Sequence, residues 1–194
     1  LNNLSAGYVL TCCGDSGKIH YKRSKRGNSI ADKTAEHLLQ YSGKEFEVLN
    51  FSIGGSDERQ YCSPGFNLPV GSVIRTPYQK YSQYHTSLDN KNFISFQAMK
   101  ETAEFCFSLV KALELNEYYS NQNPFCEPQL GKRGLYPQTG GTWGLDIENT
   151  RRILHLLAFA DGKTDLIDIA VKRNLCLLDF EKEVKVLKEK GLLA

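Results

Sequence analysis

The sequence predicts an α/β fold that gives way to a small all-helical module. Three observations carry this. Short β-prone runs alternate with helical patterns through the first 115 residues. Residues 116–145 have no periodicity and are rich in Asn, Gln, Gly and Pro. Residues 146–194 hold three short amphipathic helical patterns. The expected organisation is therefore an α/β portion over 1–115, a connecting loop over 116–145 and a winged-helix-like module over 146–194.

The elements follow in order. YVLTCC (8–13) is a β-prone run stopped by Gly14-Asp15 and Ser16-Gly17. KIHYKRS (18–24) sets Ile19 and Tyr21 against polar residues, the alternation of a half-exposed strand, and a turn would join the two runs as a hairpin. SIADKTAEHLLQYSG reads as a helix capped by Ser29, with Ile30, Thr34, Leu38 and Tyr41 on one face and Gly43 as its stop. FEVLNFSI (46–53) is the next strand, ended by Gly54-Gly55. A loop-rich stretch follows, holding one short buried strand, SVIRT (72–76). The clearest helix comes next, because Phe96, Met99, Ala103, Cys106, Val110 and Leu113 recur at helical spacing. So few strands close a large sheet only with a further N-terminal part. The start on Leu1, within seven residues of an apparent strand, likewise reads as a fragment or processed piece.

Composition narrows the classes. A formal charge of +2 over 194 residues favours no strongly charged partner. No run of 18 apolar residues exists, and the first residues lack a secretory signal pattern. The six cysteines include the adjacent Cys12 and Cys13 and no C-x-x-C, so free thiols in a reducing cytoplasm are expected.

Four constellations bear on chemistry. In GGSDERQYCSPG, Asp57 and Gln60 have the spacing of a capping box; at a strand end, Asp57, Glu58, Arg59 and Tyr61 would also line a pocket mouth. In YHTSLDN, His85 is either a solvated imidazole or a metal ligand, with Thr86 and Ser87 starting a turn and Asp89 or Asn90 capping the next helix. Asp15, just past a β-run, is either a turn residue or a metal carboxylate. The loop CEPQLGKRGLYPQTGGTWG carries Arg133, Tyr136 and Trp143; it either wraps over a site or packs as a connector. The helical module has nine Lys/Arg against eight Asp/Glu over 147–194, and its third helix opens on Asp179, Glu181 and Glu183. Phosphate repulsion there disfavours nucleic acid, leaving protein docking or homo-oligomerisation through 146–194. No G-x-S-x-G, Walker loop or G-x-G-x-x-G is present.

Taken jointly, GSDERQYCSPGFNLPVGSVIRTPYQKYSQYHTSLDN resembles the final active-site region of zinc-dependent aminopeptidases. GYVLTCCGD, GGSDERQYCSPGFNLPVGS, YHTSLDN and CEPQLGKRGLYP, with the terminal module, resemble bacterial polysaccharide-biosynthesis proteins that carry an aminopeptidase-like domain and a C-terminal winged helix. The resemblance implies the C-terminal part of a three-layer aminopeptidase-like fold. It implies one or two zinc ions in the intact protein and a small peptide or other amide as substrate. It makes His85 the last zinc ligand, Asp15 a candidate carboxylate ligand and Asp57 a pocket carboxylate, with Glu58 standing where many relatives have His. Matching the glycines instead puts Thr11 on the relatives' aspartate. The remaining ligands and the general base would precede Leu1, on an absent N-terminal segment, so this chain supplies two ligands at most.

Overall fold

The computed structural model describes residues 3–136 and 147–194. The chain divides into two compact units, Leu1–Leu113 and Glu114–Ala194.

The first unit is built on a four-stranded mixed sheet in the order β1-β4-β2-β3, from β1 (Gly7–Leu10), β2 (Ile19–Lys22), β3 (Phe46–Leu49) and β4 (Val70–Ile74). β2 and β3 are parallel and joined through α1 (Ile30–Gln40), while β4 runs antiparallel to β2 and parallel to β1. The expected hairpin of the first two runs does not form: β4 inserts between them, and the connecting segment turns through Cys12 at φ 47°. Nor is β2 half-exposed. As an inner strand it is covered on both faces, and all four of its residues are buried.

Ser29 caps α1 as the sequence predicts, in a capping box with Asp32. Asp32 does more than cap. Its carboxylate accepts from Tyr21 Oη (2.9 Å), Ser24 N (2.7 Å), Ser24 Oγ (2.6 Å), Ser29 N (2.9 Å) and Ser29 Oγ (2.7 Å). Burial works to raise its pKa, but these bonds prevail and hold it below the ordinary value. The group therefore knots β2, the following turn and α1 together.

α3 (Phe96–Leu115) forms where the periodicity predicts it but buries a neighbouring face: Ala98, Thr102, Phe105, Leu109 and Ala112. Its cap is Ser95, whose Oγ accepts from Ala98 N at 3.2 Å, and not Asp89 or Asn90. Arg75, just past β4, fixes this helix by donating to Thr102 Oγ1 (3.0 Å), Ala98 O (2.8 Å) and Glu101 (3.1 Å).

The second unit is built on three helices, α4 (Ile147–Phe159), α5 (Leu166–Val171) and α6 (Glu181–Glu189), with a 3-10 turn, Leu177–Phe180, leading into α6. Leu156, Leu166, Ile169, Leu177, Phe180 and Leu187 are its fully buried centre. The segment before it is not a free tether. Ser120 exchanges backbone bonds with Ala194 (2.8 and 3.0 Å), Asn121 N donates to Ala160 O (2.8 Å) and Gln122 N to Leu192 O (2.9 Å). Tyr119 and Leu130 are buried in the same unit. The acidic residues that open the last helix have structural roles: Asp179 accepts from Cys176 N at 3.1 Å, and buried Glu183 pairs with Arg152 at 2.9 Å. Trp143 lies outside the described residues.

Candidate functional site

β2 and β3 end side by side, and beyond their carboxyl ends lies a cavity of about 440 Å³. Lys22, Leu49 and Ile74, the last residues of their strands, line it together with Asn50, Ser52, Arg59, Tyr78 and Tyr84.

At its base is a buried ion pair. Lys22 Nζ lies 2.8 Å from Glu58 Oε1 and donates to Gly54 O at 2.5 Å, with the two side chains 3% and 0% exposed. Glu58 opens α2 (Glu58–Tyr61), and both its oxygens also accept from Ser56 N, at 3.2 and 3.1 Å. The rings of Phe51 and Tyr78 lie 5.5 and 6.0 Å from Lys22 Nζ. Gly55 is required by contact: a Cβ there would run into the Glu58 carboxylate and Lys22 Nζ. Burial, and then the charge of Glu58, push the Tyr78 phenol well above its ordinary pKa, so it stays protonated and able to donate. Opposite Lys22 on β4, Ser72 Oγ is buried and has no hydrogen-bond partner among the described residues.

The residues singled out in the sequence scatter around this cavity. Arg59 lines it and Glu58 underlies it. Asp57 precedes α2 in helical backbone geometry and makes no side-chain cap bond, so the capping box with Gln60 is absent; the carboxylate that folds back onto the loop is that of Glu58. Asp57 is exposed and Tyr61 is 39% exposed, and neither is among the lining residues.

His85 is exposed, in left-handed backbone at φ 57°, and stacks on the lining residue Tyr84 at 4.2 Å. Tyr84 in turn meets Tyr78 and Tyr81, and Tyr81 stacks on Phe93 at 5.3 Å, so an aromatic cluster sets the loop at the cavity rim. Asp15 is a clasp: Oδ1 accepts from Gly17 N (2.7 Å) and Thr76 Oγ1 (2.6 Å), and Oδ2 from Thr76 N (3.1 Å), tying the turn before β2 to the exit of β4. A catalytic zinc site takes three protein ligands and an open position. Among the described residues no three His, Cys, Asp or Glu side chains converge on one point, so the donors of the described residues do not by themselves fit the ion.

Lys22 and Tyr78 escaped the sequence reading. Lys22 was concealed by the apparent alternation of its strand, and its partner is 36 positions away. The one available signal was Glu58 itself, an acid in a Gly-rich strand exit that, once buried, requires a cation.

Comparison with known proteins agrees with the resemblance read from the sequence. Residues 1–116 match the family described as a domain of unknown function, DUF4910, and residues 117–194 match a winged helix-turn-helix family. A Clostridium acetobutylicum protein, designated a candidate polysaccharide biosynthesis protein with an aminopeptidase-like domain, is 41% identical over 175 residues. That match takes in 90% of this chain and 40% of the relative. A solved structure, designated a candidate peptidase from the same organism, superposes on the whole chain with a TM-score of 0.87 at 36% identity, over 42% of its own length. The chain thus spans about two fifths of the relatives it matches.

Proposed function

The chain belongs to the DUF4910 family, and from that premise we propose that it is one portion of an aminopeptidase-like amide hydrolase acting next to a free amino group. A small peptide, an amino-sugar conjugate or a related amide is the substrate class. The observation that carries the reading is the match of the whole chain, at a TM-score of 0.87, to a protein designated a candidate peptidase, with a cavity beyond the carboxyl ends of β2 and β3. In this reading Arg59, Tyr78 and Tyr84 form the substrate-facing wall and the Lys22–Glu58 pair fixes its base. Zinc would be held jointly by His85 and by residues outside this chain, which would also supply the general base. The free thiols suit a reducing cytoplasm, and no helix among the described residues is long and apolar enough to cross a membrane.

The test is hydrolysis of aminoacyl-arylamides, with metal analysis, on a polypeptide extended to the relatives' length. Activity and zinc there, with neither in the 194-residue chain, is the expected result. Tight stoichiometric zinc on the chain alone would contradict it.

A second reading has its own observation. The three hydrogen bonds that occupy the Asp15 carboxylate favour a non-catalytic scaffold that docks partners, or a second copy, through the winged helix. An extended polypeptide without metal or turnover would select it. A DNA-binding regulator is the weakest reading, because the leading turn of the last helix is acidic.

A further inference from the structure

The cavity beyond β2 and β3 has an unbalanced wall. Its lining includes two cations, Lys22 and Arg59, and no Asp or Glu. The charge of Lys22 is spent on buried Glu58. That of Arg59 is not. Each of the seven other arginines makes a hydrogen bond or an ion pair, whereas the guanidinium of exposed Arg59 has no partner among the described residues.

The neutral groups share the bias. Asn50 Oδ1 accepts from Arg23 Nη1 at 3.0 Å, which commits the acceptor of that amide and leaves its N–H donors unspent. Gly54 O already accepts twice, from Lys22 Nζ and from Ser52 Oγ at 3.2 Å. The cavity thus offers donors and one unmatched positive charge, with Leu49, Ile74 and Tyr84 as an apolar wall. Its volume of about 440 Å³ suits a small ligand. These features select a carboxylate. The guanidinium fork matches that group with two parallel bonds. A phosphate dianion calls for a second free cation, and Lys22 is already paired.

We propose that this cavity is a carboxylate subsite, in which Arg59 grips the anion, Asn50 donates to it and a short apolar stem lies against Leu49, Ile74 and Tyr84. The inference deepens the amide-hydrolase reading and rests on it for one step only, the identification of the ligand as substrate. The substrate is then an amide that also bears a carboxylate, on an acidic side chain or at a chain terminus.

The isotope-labelled 194-residue chain is titrated with glutarate, with its uncharged diamide and with inorganic phosphate, and backbone amide shifts are followed by NMR. Glutarate is expected to move signals around Asn50, Arg59 and Tyr84 and to bind roughly tenfold or more tightly than the diamide. Arg59→Gln, at an exposed position, is expected to lose that preference with the remaining spectrum unchanged, and Arg59→Lys to keep part of it. No glutarate binding, equal affinity for the diamide, or full affinity in Arg59→Gln overturns the proposal. Phosphate binding tighter than glutarate overturns it in favour of a phosphoryl ligand. The extended polypeptide then separates the two sources of the carboxylate. Faster hydrolysis of a glutamyl- than of a glutaminyl-arylamide places it on the side chain; faster hydrolysis of an aminoacyl-glycine than of its amide places it at the terminus. An active enzyme with neither preference also overturns the proposal. Glutarate binding through Arg59 in a protein without turnover leaves the subsite standing and sinks only the hydrolase reading.

Discussion

Replacing Lys22 by Met should be among the most damaging single changes in the first unit. The ammonium is 2.8 Å from Glu58 and 2.5 Å from Gly54 O, and the pair is 3% and 0% exposed. Removing one member strands a buried charge, at a cost of about 3–5 kcal/mol. Glu58→Leu should cost a similar amount, because it also leaves Ser56 N without its acceptor. The double variant Lys22→Met/Glu58→Leu has no stranded charge, and its cost should fall to about 2 kcal/mol, the worth of the lost bonds to Gly54 O and Ser56 N. Urea denaturation followed by far-UV circular dichroism reads these differences. The two compact units are expected to unfold in separate transitions, and only the one belonging to the first should move. Single variants within about 1 kcal/mol of wild type, or a double variant equal to the sum of the singles, would refute the reasoning.

Four further outcomes follow from described geometry. Asp32→Ala should cost about 4 kcal/mol or more by chemical denaturation, since five donors lose one acceptor. The Asp32 carboxyl is held below its ordinary pKa, so its contribution is present above the unfolded value near ~4 and lost as pH falls through the folded value; Asp32→Asn should flatten that acid limb of the stability profile. His85→Ala should leave the melting curve of the chain within about 0.5 kcal/mol of wild type, because the ring is exposed, yet remove metal from the extended polypeptide; a large loss of stability would assign the ring a packing role instead. Duplex DNA should not shift with residues 114–194 at physiological salt, and binding with a steep salt slope would restore the regulator reading.

Local signals were readable in the sequence; non-local pairings were not. Ser29 and Gly43 bracket α1 because a cap and a left-handed stop are decided within a few residues. The hairpin failed because its rival, β4, lies some fifty residues farther on, and a longer-range partner leaves no trace in the turn. Period gave α3 its existence but not its orientation. The buried stripe is partly Ala and Thr, small enough to let Arg75 and the sheet approach, and therefore less hydrophobic to the eye than the outward one. At the site, Arg59 and Glu58 were legible as a charged cluster on a strand exit, whereas Lys22 became visible only once β2 was seen to be internal. Asp15 was ambiguous because a turn clasp and a metal carboxylate call for the same residue type; the three hydrogen bonds it makes to Gly17 and Thr76 could not be read from the sequence, since Thr76 lies 61 positions away.

The backbone bonds that join Ser120 to Ala194 and Gln122 to Leu192 govern how the helical module can be cut out and handled. An excision that opens at 147 discards the strip that zips the last residues down, and would hand the experimenter a frayed tail with Leu192 and Leu193 released into water. Starting at Glu114 retains that zipper, and an affinity handle belongs at this front end, away from Ala194.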